Sequence, residues 1–535
     1  MKQKLALLLA VLMLVSAFAA CGGTKEEAPA AEAPAAEAPA APAAPPAAPA
    51  EPGTGEVSGR DDLNLALVGV VSSLDPFTTS LTVDLEVFHQ IYEPLFYIDD
   101  YSVAHGRVAE EYSVSEDGLT YTFKLRENVK FHNGEQCTAD DVVFTFQKAM
   151  ESGVLAPYVN MITSVEKTGD FEVTMVLNQA YTPFINNTAN VLIISKKAYE
   201  EAGDAFGATV TGAGTGPYAV ASADLQTKIV LEAFDDYYLG EAAIENVTYT
   251  VMADNSARLI AFETGELDFT AIPTANWAEI EGSGKYTTFL NPTSHISYMM
   301  INPQTDTVLK NQDVRYAVQY AIDREAINII AYEGMAVEAY HMMHPEYIFG
   351  ASDDTFKFEY SPEKAKEYLA KAGYPDGVDI GEIQYTTANY FPKIAQTIQQ
   401  NLADVGITCE IVGGQTSDLV VGWRAGEFNA LISGFNAALD YDYFTRYASP
   451  AVSTSFVKFE GSEYDHEYIL DMFNKGAAEL DPDKRIEIYT ELENYIAATG
   501  CYVPCFYKSL PYAWDQNLNV VLDLNWYYIY EWSWN

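Results

Sequence analysis

Basic side chains are scarce in this sequence: 30 Lys and Arg stand against 76 Asp and Glu, a formal net charge of -46 over 535 residues. A surface that acidic repels phosphate backbones and anionic headgroups, which argues against nucleic acid as a partner. Solubility in a salty or crowded setting accounts for the charge without any partner. Cysteine is rare too, five in all, and Cys137, Cys409, Cys501 and Cys505 are spread too widely for a disulfide scaffold. Cys501 and Cys505 are spaced C-x-x-x-C rather than the redox C-x-x-C, so buried thiols and one disulfide both stay open. Past the first twenty residues there is no run of about 20 apolar residues, the length a spanning helix needs.

Catalytic patterns are missing as well. There is no G-x-S-x-G elbow, no H-E-x-x-H, no G-x-x-x-x-G-K-[ST] and no zinc-type cysteine pair. In Gly212-Ala-Gly214-Thr-Gly216-Pro217 a proline stands where a dinucleotide loop needs its third glycine, so the cluster reads as a tight turn with positive φ. His341-Met342-Met343-His344 has soft-metal ligand types, but two histidines three apart beside Pro345 read more simply as surface or packing residues. No catalytic residue, cofactor or metal ligand is assigned, and an enzyme is not expected.

What is present is a large core-forming chain. Hydrophobic residues make up 49% of it, and its length exceeds one hydrophobic core, so two or more packed lobes are expected. Tyr is abundant at 37, beside 26 Phe and 6 Trp, enough rings with polar tips to line a cavity as well as fill cores.

The N-terminus reads as an export signal over residues 1–20: Lys2 and Lys4, then the apolar run Leu5 to Val15, then Phe18-Ala19-Ala20 before Cys21. An apolar run ending in Ala-Ala-Cys resembles the lipobox of bacterial lipoproteins, which implies that Cys21 is diacylated and becomes the new N-terminus. An ordinary secretory signal with an incidental cysteine is the simpler alternative. Residues 24–56, within a linker over 21–60, are almost only Ala, Pro, Glu, Gly and Thr, a stretch with too little apolar bulk to offset ordering entropy and prolines that keep it extended. An acyl anchor followed by a solvated spacer suits a protein held near a membrane surface.

From residue 61 helix and strand patterns alternate. Leu119, Tyr121, Phe123 and Leu125 alternate with polar residues after the Asp117-Gly118 turn, and Phe171 to Leu177 repeats the pattern. Thr138 and Asp141 have capping-box spacing before a helix through Phe146. Val314 to Ile322 has helical spacing; Ser361-Pro362 opens a helix that Gly373 ends; Ile394 to Val405 stripes another, stopped by Gly406 before a strand. Such alternation indicates an α/β fold.

An ordered series of motifs then carries a family likeness. It runs from Ser73-Leu-Asp75-Pro76 and Gln90-Ile-Tyr-Glu93-Pro-Leu95 through Phe123-Lys-Leu-Arg126, Val129-Lys-Phe131-His132 and Ala139-Asp140-Asp141-Val142. Gly214-Thr-Gly216-Pro217-Tyr218, Gly265-Glu266-Leu-Asp268, Val314-Arg315-Tyr-Ala317 and Ala321-Ile-Asp323-Arg324 continue it. This series, covering about residues 61–515, resembles the family 5 extracellular solute-binding proteins, the dipeptide/oligopeptide/nickel group. The resemblance implies a bilobal periplasmic-binding-protein-like fold, type II, with an inserted subdomain. Lobe one is expected over about 61–95, 205–302 and 501–535, the insert over 96–204 and lobe two over 303–500. It also implies a monomeric, membrane-anchored receptor that hands a small peptide or other solute to the permease and ATPase subunits of an ABC importer. A nickel chelate, oligosaccharide or opine in place of the peptide is the rival, as is a sensor or enzyme on the same fold.

In peptide-binding members of the family an aspartate grips the peptide's α-amino group. The matching run here is Asn436 to Phe444, with Ala437 at the aspartate's place and Tyr441 where a proline is usual. An unpaired buried ammonium costs several kcal/mol, so that role falls to Asp440 or Asp442 if the loop shifts. The expected cleft residues are Phe435, Asn436, Asp440 and Tyr441 from this loop, Thr78 and Thr79 from the first segment, and Trp423 and Arg424 from the preceding helix. Arg424 suits a ligand carboxylate, or equally a surface pairing with local acids.

Overall fold

The structure, a computed structural model, describes residues 60–344, 353–436, 440–444, 448, 464–524 and 526–535. The export signal, Cys21, nearly all of the spacer and Ala437 lie outside the described residues.

The local signals become the elements they predicted. The alternating run Thr120–Leu125 is a strand whose Tyr121, Phe123 and Leu125 are buried, and it pairs antiparallel with Glu172–Leu177. Thr138 and Asp141 close a capping box over helix Ala139–Glu151. Ser361 Oγ accepts from the Lys364 amide at the start of helix Pro362–Lys371, and Gly373 beyond its end takes φ +93°. The glycine cluster differs from expectation. Only Gly212 has positive φ; a Cβ on Gly214 would meet the Ile91 carbonyl oxygen at 1.9 Å, and one on Gly216 the Gln90 carbonyl oxygen at 2.7 Å. Close approach to the end of helix Thr82–Ile91, rather than turn geometry, demands the last two glycines.

Three larger sheets organise the described chain. One has the strand order Asp62–Leu67, Asn246–Val251, Lys228–Ala233, Tyr218–Asp224; a second is antiparallel, in the order Ala109–Val114, Thr120–Leu125, Glu172–Leu177, Ile162–Gly169. The third is built around two long antiparallel strands, Tyr286–Ile301 and Tyr502–Asp515. At one end Tyr502–Asp515 pairs with Phe269–Ala271. At the other end Tyr286–Ile301 pairs with Ala430–Asn436, which leads on to Val378–Thr386 and Ile407–Gly414 in parallel.

The core divides accordingly. One apolar cluster joins the first two sheets to the C-terminal Trp514, Trp532 and Trp534. Two others gather the helices and strands of 296–507, one around Trp423, Tyr441 and Tyr489, the other around Val314, Ile394 and Ile398. The long ribbon runs from one body to the other, and its ladder breaks between Pro292 and Ile296. Proline has no amide hydrogen for the ladder, and the Thr293 hydroxyl donates instead to the Lys508 carbonyl at 2.7 Å. Among the described residues no helix is long and apolar enough to cross a membrane. Cys137, Cys409, Cys501 and Cys505 are free thiols.

Candidate binding cleft

The ladder break forms the floor of a cleft of about 1270 Å³. Asn291, Thr293, Ser294 and His295 face it from the irregular stretch of one long strand, and Lys508, Leu510 and Tyr512 from the other at the period-two spacing of one strand face. Helix Thr82–Ile91 contributes Leu85, Glu86 and His89, and the segment 157–190 contributes Tyr158, Tyr181 and several asparagines. Asn436, Asp440, Asp442 and Tyr443 close one side, and Asp523 with Trp526, Tyr527 and Tyr528 another. The wall carries eight side-chain amides and eight Tyr or Trp rings. Amides both donate and accept and rings supply contact area with polar tips, so the wall suits a neutral polar scaffold such as a peptide backbone.

The histidines on the wall are uncharged near neutral pH. Burial pushes His89 down to about 4, and its ring lies edge-on to Trp526 with Nδ1 buried and unpartnered. Burial also takes His295 to about 4, helped by the nearby Lys508 charge. With its proton on Nδ1, His295 donates to Asn436 Oδ1 (2.9 Å) while Nε2 accepts from the Tyr390 hydroxyl (2.8 Å), which fixes the ring. Gly434 leaves it room: a Cβ there would come within 2.7 Å of His295 Nε2.

Three of the four acids on the wall have partners. Asp440 receives Arg485 at both oxygens, 2.7 Å each. Asp442 accepts from the Tyr181 hydroxyl at 2.6 Å, and Asp523 from the Tyr97 hydroxyl at 2.6 Å. Glu86 is the fourth; burial pushes its carboxyl up to about 7 against the opposing pull of Arg258. Lys508 is the one Lys or Arg among the described wall residues, half-buried, and burial lowers its amine below the usual lysine range. No group of three or more metal-ligand side chains occurs among the described residues.

Opposite walls touch across the cleft. Besides Tyr181 to Asp442, the Asn186 amide donates to Asp440 Oδ2 at 3.2 Å. The Thr182 amide donates to the Ala477 carbonyl and its hydroxyl to the Glu479 carbonyl, both at 2.7 Å.

Of the residues expected from the sequence, Asn436 and Asp440 line this cleft. Asp440 is 4% exposed and committed to Arg485, so its carboxylate is already neutralised. Trp423 is a core residue whose indole N–H donates to Gln384 Oε1 at 2.8 Å. Tyr441 is buried and donates to Glu493, and Phe435 packs against Tyr298. Arg424 is exposed away from the wall. Thr79 is buried, its hydroxyl donating to Asp84 at 2.6 Å, and Thr78 donates to the Asp75 carbonyl at 3.0 Å. The expectation passed over Glu86, His295, Tyr97 and Lys508. A lysine inside the apolar run Val503 to Tyr512 was the legible trace of the last.

Comparison with known proteins gives the family and the fold. The sequence model of the bacterial extracellular solute-binding proteins, family 5 Middle, matches residues 104–454. Glutathione-binding protein GsiB of Escherichia coli K12 is 28% identical over 476 residues, 85% of this chain and 91% of that protein. HbpA2 from Haemophilus parasuis superposes with a TM-score of 0.80 at 24% identity, covering 89% of this chain and all of that one. NikA from Brucella suis, in complex with Fe(III)-EDTA, does so with a TM-score of 0.77 at 22% identity, over 89% of this chain and 100% of that one. The fold is therefore the α/β periplasmic-binding-protein fold, and its relatives are binding proteins rather than enzymes. A deep polar cleft at the break of a ribbon shared by two packed bodies, with the matching family signature over more than half the length, makes this chain a member of the bacterial extracellular solute-binding proteins, family 5.

Proposed function

We propose that the chain is the exported, substrate-capturing lipoprotein of an ABC importer, which encloses a small peptide or peptide-like solute and passes it unaltered to a membrane permease powered by ATPase subunits. The observation that carries this reading is the wall of the cleft, which brings together eight side-chain amides and eight tyrosine or tryptophan rings. Cys21 is the proposed lipid attachment point and residues 21–60 the spacer that holds a monomer near the outer face of the cytoplasmic membrane. We divide the folded part into lobe one (about 61–95, 205–302, 501–535), an insert (96–204) and lobe two (303–500). The contacts from 181–186 to Asp440, Asp442, Ala477 and Glu479 support an insert that closes onto lobe two. Asn436 is the proposed ligand contact from the loop side, held ready by His295.

A tight ligand raises the melting temperature by mass action. A thermal-shift screen of short peptides, glutathione, oligosaccharides and metal chelates is expected to show a shift with peptides or glutathione. A shift with sugars alone would favour the second reading, a non-peptide solute, for which the aromatic cluster of Trp526 and Tyr528 around His89 is the supporting feature. Radiolabelled palmitate is expected to label the wild type and not Cys21→Ser; equal labelling would refute the anchor.

A further inference from the structure

We propose that Glu86 and Lys508 are the two poles of the ligand site, Glu86 taking the ammonium end and Lys508 the carboxylate end of a short peptide zwitterion. This rests on the peptide-like reading above and names the residues behind it.

The argument begins with charge. Asp440, Asp442 and Asp523 are each answered by a donor from the protein. Glu86 and Lys508 face the same cleft, and among the described residues neither carries an ion pair or side-chain hydrogen bond. Arg258, whose charge reaches Glu86, spends its guanidinium on the Met252 and Ala253 carbonyls and on Asn255. His295, beside Lys508, is neutral and turned to Asn436 and Tyr390. Two half-buried charges of opposite sign without partners are costly in an empty cleft and are satisfied together by a ligand charged at both ends.

Position then suits a short ligand. Tyr512, which feels the Glu86 charge, and Lys508 face the same cleft from one strand. They stand four residues apart, a backbone span of roughly 13 Å at about 3.3 Å per residue, within reach of a short extended peptide.

The test is calorimetric titration at pH 7.5 of trialanine, N-acetyl-trialanine and trialanine amide into the full chain, Glu86→Gln, Lys508→Met and Lys508→Arg. The wild type is expected to lose at least tenfold in affinity on either cap. Glu86→Gln should bind the free and acetylated peptides alike yet still discriminate against the amide. Lys508→Met should show the reverse, and Lys508→Arg should keep the wild-type pattern, which guards against misfolding as the cause. Peptide binding that ignores both caps, or variants that lose the wrong discrimination, would overturn the assignment while leaving the peptide reading intact. Failure of every peptide, with a sugar or chelate bound instead, would remove the peptide reading and this assignment with it.

Discussion

Arg485 grips both carboxylate oxygens of Asp440 at 2.7 Å, and both residues are almost wholly buried. The same guanidinium donates to the Gly476 carbonyl and lies over the Tyr489 ring, so one arginine ties the cleft wall to two helices, His466–Ala478 and Pro482–Ala498. Removing one partner of a buried pair strands the other charge, at about 3–5 kcal/mol. Asp440→Asn is therefore expected to lower the melting temperature of the empty protein strongly, and Asp440→Leu with Arg485→Met to recover much of the loss. Urea denaturation of the single and double variants measures both. If Asp440 instead held a ligand amine, the single variant would melt like the wild type and lose only binding.

Helices were legible because their signals are local. Thr138 with Asp141, and Ser361 with Pro362, act within one turn, and a stripe such as Ile394, Ile398 and Leu402 needs only its own helix to be read. The cleft was not local. Asn291 donates to the Asp523 carbonyl 232 residues on, and Gln90 to that of Tyr527 437 residues on. Large aromatic residues near the family's ligand loop were expected on the wall, yet Trp423, Phe435 and Tyr441 fill the core behind it. A ring's burial is decided by which body packs over it, and no single segment carries that information. Lys508, which the expectation passed over, is marked in the sequence only as a charge in an apolar strand, and its meaning needs the partner strand and the helix facing it.

The Tyr181–Asp442 bond spans the cleft at 2.6 Å without occupying its floor. A hydrogen bond to a charged acceptor contributes about 1.5–3 kcal/mol, and here it acts in the state where the walls touch. Tyr181→Phe is expected to weaken every ligand by the same factor, tenfold or more, because it changes the population of the closed form rather than any ligand contact. Calorimetry with two chemically different ligands, and small-angle scattering of the loaded variant, check this. A loss confined to one ligand would make Tyr181 a recognition residue instead.

Burial raises the Glu86 carboxyl to about 7 in the folded chain, above the ordinary glutamate value near ~4.3. The folded state thus holds a proton that the unfolded state has released, so this group's contribution to stability is present at low pH and is lost as pH rises through about 7. Glu93 and Asp100 also titrate near about 7 for the same cause, which is why the difference between wild type and Glu86→Gln is the quantity to follow. The stability gain of the variant over the wild type is expected to grow from pH 5 to pH 8. An ammonium ligand reverses the sign for binding, since it needs Glu86 charged. Peptide affinity should therefore climb from pH 5.5 to 7.5 in the wild type and stay flat in the variant, by titration calorimetry in buffers of different ionisation heat.

Gly434 lies on strand Ala430–Asn436, opposite Ser297 and next to the His295 ring. An added methyl would stand 2.7 Å from both His295 Nε2 and the Ile296 carbonyl oxygen. The ring can swing, but the carbonyl belongs to the central ribbon and cannot. Overpacking of this kind costs about 1–3 kcal/mol, and the swing breaks the His295 bonds to Asn436 and Tyr390 that hold the wall beside Lys508. Gly434→Ala is expected to lower the melting temperature and to weaken binding further than His295→Ala does. His295→Ala in the Gly434→Ala background should restore part of the stability by freeing the space. A double variant no more stable than Gly434→Ala alone would locate the clash at the Ile296 carbonyl and leave His295 outside it.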